Sequence, residues 1–218
     1  EFILGASGAI LNYWANWKDL NWTLHVKENG NIQTSSSNGA GANTWKGPVV
    51  IDAGKTLTMR QSYDTKNDLL MNFTGEISGD GAVAVSDNGT GRDINVYLKH
   101  ANTYKGGTTM SKGVLHATVD KSIPATGAFS GTGGKAFMYL GSSGGWTAAH
   151  AHEVYDAATP NATSEALSFY TPSGATFSDN VTFTTKTVRV VHRGPGTLTS
   201  TGGFAALNDL VNDGGTWK

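Results

Sequence analysis

From position 47 onward the chain is written in short runs where apolar and polar residues alternate, each closed by a glycine-rich corner. GPVVIDAGKTLTMRQ (47–61) opens with Val49 to Ile51, turns at Asp52 to Lys55 and continues from Thr56 to Arg60, with Leu57 and Met59 on one side. LLMNFTGEISGDGAVAVSDNG (69–89) gives Leu69 to Phe73, a turn at Thr74 to Glu76, Ile77, a Gly-Asp-Gly turn and Ala82 to Val85. DINVYLKH (93–100) leads into ANTYKGGTTMSKGVLHATV (101–119). There Gly106 and Gly107 mark a tight turn, Thr108 to Met110 a strand, Ser111 to Gly113 another turn and Val114 to Val119 a second strand. ATFSDNVTFTTKTVRVVHRGPGTLTSTGGF (175–204) repeats the grammar through Val181/Phe183, Val188/Val190 and Leu198.

Short strands and corners that recur at roughly 20 to 25 residues are the signature of a solenoid, whose coils stack on their neighbours. The expected fold is all-β, a single-stranded right-handed parallel β-helix of about nine coils at that repeat length. Inward residues of successive coils stack about 4.8 Å apart, which favours Val, Ile, Leu, Phe and Ala inside and Gly, Asn, Asp and Ser at corners. The alternative is a β-sandwich. Asn29-Gly30, Asn38-Gly39 and Asn88-Gly89 are the candidate two-residue hairpin links that keep it open.

One stretch departs from this pattern. GWTAAHAHEVYDAATPNATSEAL (145–167) is richer in Ala and Glu, and Ala148 to Ala157 is a candidate short helix that Pro160 terminates. It reads as an insertion protruding from the solenoid. The layout is therefore one domain over 1–218: an aromatic-rich N-terminal cap and first coils at 1–46, repeat coils at 47–144, the insertion at 145–167, and further coils at 168–218.

Composition agrees. Of 218 residues, 29 are Gly, 5 are Pro and 15% are charged, a balance suited to stacked strands with small-residue corners. The formal net charge is −1 with no basic run, which argues against nucleic acid and against a charged membrane-surface stripe. No apolar stretch approaches the roughly 20 residues that span a bilayer, so no direct membrane insertion of this segment is expected. The absence of Cys excludes disulfides, iron–sulfur ligation and thiolate zinc sites. The chain opens without Met and closes on GGTWK (214–218), in what reads as the middle of a coil, so a longer parent protein is expected.

The string Asn102, Thr103, Tyr104, Gly106, Gly107, Thr108, Thr109, then Gly113 and Leu115, resembles the autotransporter-associated β-strand repeat of secreted and surface-displayed bacterial proteins. Weaker matches at 43–59 and 75–85 extend the similarity to about a third of the chain, and Gly194-Pro-Gly-Thr-Leu-Thr is similar to the element that precedes such a repeat. The resemblance implies a right-handed parallel β-helix outside the cytoplasm, at the cell surface or secreted, serving as a stalk or display surface. Partners would be glycans or host and environmental surface proteins. No carboxy-terminal membrane barrel accompanies it in this sequence.

Candidate chemistry is sparse. His150, His152, Glu153 and Asp156 are the densest metal-ligand set, although their spacing matches no zinc motif. On a strand His150 and His152 would share a face; on a helix His152 and Asp156 would. Asp87, Asn88, Thr90 and Asp93 form an oxygen-rich loop without the ligand order of an EF-hand, and corner turns explain it without calcium. Asp64 with Asp68, and Asp87 with Asp93, are the close carboxylate pairs a glycoside hydrolase would need. No residue is nominated as catalytic, and no cofactor is expected.

Trp14, Trp17, Trp22, Trp45 and Trp146 are the aromatic candidates for stacking on sugar faces. The competing role for the N-terminal ones is a hydrophobic cap over the first coil. Thr-x-Thr steps at 56/58, 182/184, 185/187 and 197/199 raise ice binding as a minor reading, and irregular spacing argues against it. Asn72-Phe73-Thr74 and Asn180-Val181-Thr182 are glycosylation sequons with meaning only in a eukaryotic secretory pathway. Function therefore divides into two classes. One is a non-enzymatic stalk or adhesin segment with scattered charges; the other is a carbohydrate-active or carbohydrate-binding module, where an enzyme would align carboxylates across coils in a groove.

Overall fold

A computed structural model describes residues 1–14, 19–35, 43–61, 69–87, 94–158, 167–181, 189–202 and 209–218. The first turn is built from β1 (Phe2–Leu4), β2 (Ala9–Trp14) and β3 (Asp19–Leu20), and the second from β4 (Leu24–Val26), β5 (Gly30–Ser35) and β6 (Asn43–Trp45). A third holds β7 (Val49–Ile51), β8 (Thr56–Gln61) and β9 (Leu69–Phe73), and a fourth β10 (Ile77–Gly79), β11 (Ala82–Ser86) and β12 (Ile94–Leu98). Two turns then use β13 (Thr108–Met110) with β14 (Val114–Ala117), and β15 (Phe129–Gly131) with β16 (Lys135–Tyr139). Helix α1 (Ala148–Ala157) follows, and the chain continues through β17 (Leu167–Tyr170), β18 (Thr176–Asp179), β19 (Arg189–Arg193), β20 (Thr197–Ser200), β21 (Asp209–Asp213) and β22 (Thr216–Trp217).

Strands one turn apart pair with each other. The resulting walls are a four-stranded sheet β1-β4-β7-β10, a six-stranded sheet β15-β13-β11-β8-β5-β2 and a nine-stranded sheet running from β3 to β21, with β18-β20-β22 forming a fourth sheet beside the last turns. Every pairing between these strands is parallel. This is a β-solenoid. The sandwich alternative fails because hairpin links would make neighbours antiparallel. Asn29-Gly30 is a corner, not a hairpin: Asn29 Oδ1 accepts from the Thr56 N–H of the next turn at 2.9 Å.

The register shows why alternation was informative. Leu57 pairs with Val83 and Met59 with Val85, and all four side chains are fully buried. On the nine-stranded sheet the inward row runs Phe73, Leu98, Ala117, Met138 and Phe169, each directly above the last. Past Phe169 it turns polar at His192 and Asn212, joined by a 2.8 Å hydrogen bond.

The first sheet ends at β10, where the Thr103 and Lys105 N–H groups still donate to Ile77 O and Gly79 O and the Asn102 side chain supplies the acceptor for Ile77 N–H. Asn102 Oδ1 accepts from Ile77 N–H at 2.8 Å and its Nδ2 donates to Ser122 O at 2.7 Å, so one buried side chain links three successive turns. Tyr104 is wholly buried and its hydroxyl shares a 2.7 Å hydrogen bond with Thr108 Oγ1. At Gly107 the backbone has φ +89°, and an added Cβ would lie 2.4 Å from Ala128 O. Only glycine serves both requirements.

Helix α1 matches the expected Ala148 to Ala157, with the Thr147 hydroxyl accepting from His150 N–H as its N-cap. It does not protrude as the insertion was expected to. Ala151, His152, Val154 and Tyr155 are buried, and Tyr155 meets Phe169 of the inward row edge-on at 5.0 Å. The helix is a wall of the solenoid, because this apolar stripe covers core that the first sheet no longer covers.

Candidate functional site

Cross-turn pairing organises the charged surface. Lys46 bonds Asp19 at 2.8 Å, Lys55 bonds Glu28 at 2.7 Å and His25 bonds Asp52 at 2.8 Å, each pair 27 residues apart. Lys105 pairs with Asp80 at 2.7 Å and Lys112 with Asp87 at 3.1 Å by the same logic. Residues one coil apart lie side by side, so opposite charges at equivalent corners meet without bending the chain. Less exposed side chains repeat the theme: buried His152 Nε2 reaches both oxygens of buried Asp179 at 3.1 and 2.9 Å, and the buried Arg193 binds the exposed Asp213.

Where α1 packs on the coil that precedes it, a cleft of about 360 Å³ opens. This is within the size range of small-molecule sites. Its floor is Ile123, Pro124, Ala125, Trp146 and Val154. Lys105, Lys121, His150 and Glu153 supply the polar rim. His150 Nδ1 contacts Asp120 Oδ2 at 2.6 Å, and Asp120 Oδ1 accepts from Thr147 N–H at 3.2 Å, which fixes the imidazole against the helix start.

The helix divides the expected metal set. Steps of about 100° per residue turn His150 and Glu153 toward the cleft and His152 into the core. Asp156 stays exposed. Among the described residues no group of three or more His, Asp or Glu is arranged to hold a metal. Asp64, Asp68, Asn88, Thr90 and Asp93 lie outside the described residues; Asp87 is held by Lys112.

The tryptophans separate as well. Trp45 and Trp146 are core residues at 0% and 2% exposure, and the Trp146 indole donates to Ala117 O at 2.9 Å. Trp22 is 48% exposed, with its ring 4.6 Å from that of Phe2. Trp17 and the side chain of Trp14 lie outside the described residues.

Sequence reasoning missed an outward aromatic row on the nine-stranded sheet. Tyr97 stacks on His116 at 4.0 Å and 7°, Phe137 on Tyr170 at 5.5 Å and 21°, and Tyr139 lies 4.5 Å from Tyr170. The signal was present in INVYL and KAFMY, whose alternation puts Tyr97, Phe137 and Tyr139 opposite the core positions. Because these rings lie against each other, and Lys99 sits 5.4 Å over Tyr97, they stabilise the sheet more than they offer faces to a sugar. His116 Nε2 donates to Asn95 Oδ1 at 3.2 Å, which leaves Nδ1 to accept from Tyr139 Oη at 3.0 Å, and burial lowers the pKa of His116 to about 4.

No helix of the described residues is long and apolar enough to cross a membrane. Comparison of the chain with protein-family models, curated proteins and solved structures finds no match.

Proposed function

We propose that this chain is a non-enzymatic segment of a secreted or surface-displayed bacterial β-helix, a rigid stalk that also presents adhesive surface. The observation that carries the reading is the cross-turn pairing of carboxylates. Asp19, Glu28, Asp52, Asp80, Asp87, Asp120, Asp179 and Asp213 each face a basic partner on another turn. A glycan-cleaving site needs a carboxyl pair about 5–10 Å apart across an open groove, with one member free to be protonated. Acids already engaged with Lys, Arg or His serve rigidity instead.

The resemblance of residues 102–115 to autotransporter passenger repeats supports the extracellular setting. Its test is a polysaccharide panel incubated with the purified chain and read for new reducing ends and unsaturated products. No turnover is expected on any polymer. Turnover that disappears in an Asp→Asn variant of the responsible acid would replace the display reading with the carbohydrate-active one.

A further inference from the structure

We infer that the cleft between α1 and the preceding coil binds a hexuronate-type sugar residue, an acidic monosaccharide unit, with Lys121 as its carboxylate contact. This deepens the display reading above and rests on it. Three observations converge.

Lys121 is the only non-glycine residue with positive φ among the described residues, at +58°. A left-handed conformation disfavours any side chain with a Cβ, and glycine or asparagine would adopt it more readily. The conformation is enforced by the fold, since Asn102 N–H donates to Lys121 O at 3.0 Å while Asn102 Nδ2 holds Ser122 O. Lys121 lines the cleft from this corner, and we assign its ammonium as the ligand contact.

That ammonium has no ion-pair partner among the described residues, unlike Lys46, Lys55, Lys105 and Lys112, which each face an acid on the neighbouring turn. Glu153, on the helix side of the same cleft, likewise has none among the described residues. His150 completes the polar rim: Nδ1 is engaged by Asp120, which leaves Nε2 for a ligand. Between these groups lies the apolar floor of Ile123, Pro124 and Ala125.

A hexuronate matches each part. Its carboxylate meets Lys121, its hydroxyls donate to the Glu153 carboxylate and to His150 Nε2, and the C–H face of the ring lies on the apolar floor. A neutral hexose would leave Lys121 without its counter-charge, and a bare carboxylate would leave the floor and Glu153 unused.

The experiment is ligand-observed NMR and calorimetry on the intact chain with glucuronate, glucose, acetate and alanine. Glucuronate is expected to bind about tenfold more tightly than glucose, the worth of one charge-assisted contact, and acetate and alanine more weakly still. Lys121→Gly is expected to erase the preference for glucuronate over glucose while leaving Tm unchanged or higher, because glycine accepts the left-handed backbone. Glu153→Gln is expected to weaken both sugars alike. Equal binding of glucose and glucuronate, an unchanged preference in Lys121→Gly, tighter binding of alanine, or no binding of any sugar overturns the proposal. Failure here without polysaccharide turnover leaves the stalk reading standing, whereas turnover removes that reading whatever the cleft binds.

Discussion

Replacing Asn102 by Ala removes the side chain that closes the edge of the first sheet. Two buried hydrogen bonds vanish, at 2.8 Å to Ile77 N–H and 2.7 Å to Ser122 O, in a site where Asn102 itself is 5% exposed. Each abandoned buried partner costs about 1–3 kcal/mol, with part recovered where water enters the space left by the amide, so the expected loss is about 3 kcal/mol. For a chain of this size that corresponds to a Tm lowered by about 6–12 °C. Asn102→Asp tests the same geometry differently. It retains the acceptor for Ile77 but sets a carboxylate against the Ser122 carbonyl, and is expected to cost at least as much at neutral pH. Urea unfolding gives the energy, and amide hydrogen exchange locates it: protection should fall first at Ile77 and Lys121–Ser122, since each coil of a solenoid leans chiefly on its neighbours. A loss below about 0.5 kcal/mol for Asn102→Ala, the level of an ordinary surface substitution, would refute the reasoning.

Gly107→Ala combines a positive φ with a Cβ 2.4 Å from Ala128 O, so a loss of at least about 2 kcal/mol is expected in the same denaturation assay. His116 is neutral in the folded protein down to about pH 4, while its unfolded counterpart takes up a proton near 6.5. Stability should therefore be complete above pH 6.5 and fall as pH drops toward 4, by on the order of 3 kcal/mol in all, and His116→Phe should flatten that part of the profile. Asp179→Ala leaves His152 buried without the carboxylate that it contacts and removes an acceptor from Val181 N–H, an expected loss of about 3–5 kcal/mol by thermal or urea unfolding.

The solenoid was legible because its information is local and repeated. Runs such as TLTMRQ and AVAVS carry the period of a strand, and Asp52 to Lys55 or Thr74 to Glu76 carry corner chemistry, so strands and turns follow from neighbouring residues. The helix was legible for the same reason, from its alanines and the Pro160 that follows them. Its place in the core was not, because burial of Ala151, Val154 and Tyr155 depends on the first sheet ending some 70 residues earlier, at β10. The candidate site follows the same division. Trp146, His150 and Glu153 stood out by type, but Lys121 is an ordinary lysine until the backbone of Asn102 and Ser122 forces its corner to the left-handed region. Trp45 read as a sugar-stacking candidate and proved to be core, since nothing in NTW reports that Leu20 and Phe73 lie directly on either side of it.

The display role proposed above requires that the cross-turn carboxylates hold coils together and cleave no glycan. The most direct measurement is mass spectrometry of a polysaccharide and oligosaccharide panel after prolonged incubation with the intact chain. The account predicts that every glycan is recovered at its original mass, including any that the protein retains. Recovery of shortened or unsaturated fragments, absent from a heat-inactivated control, would contradict it.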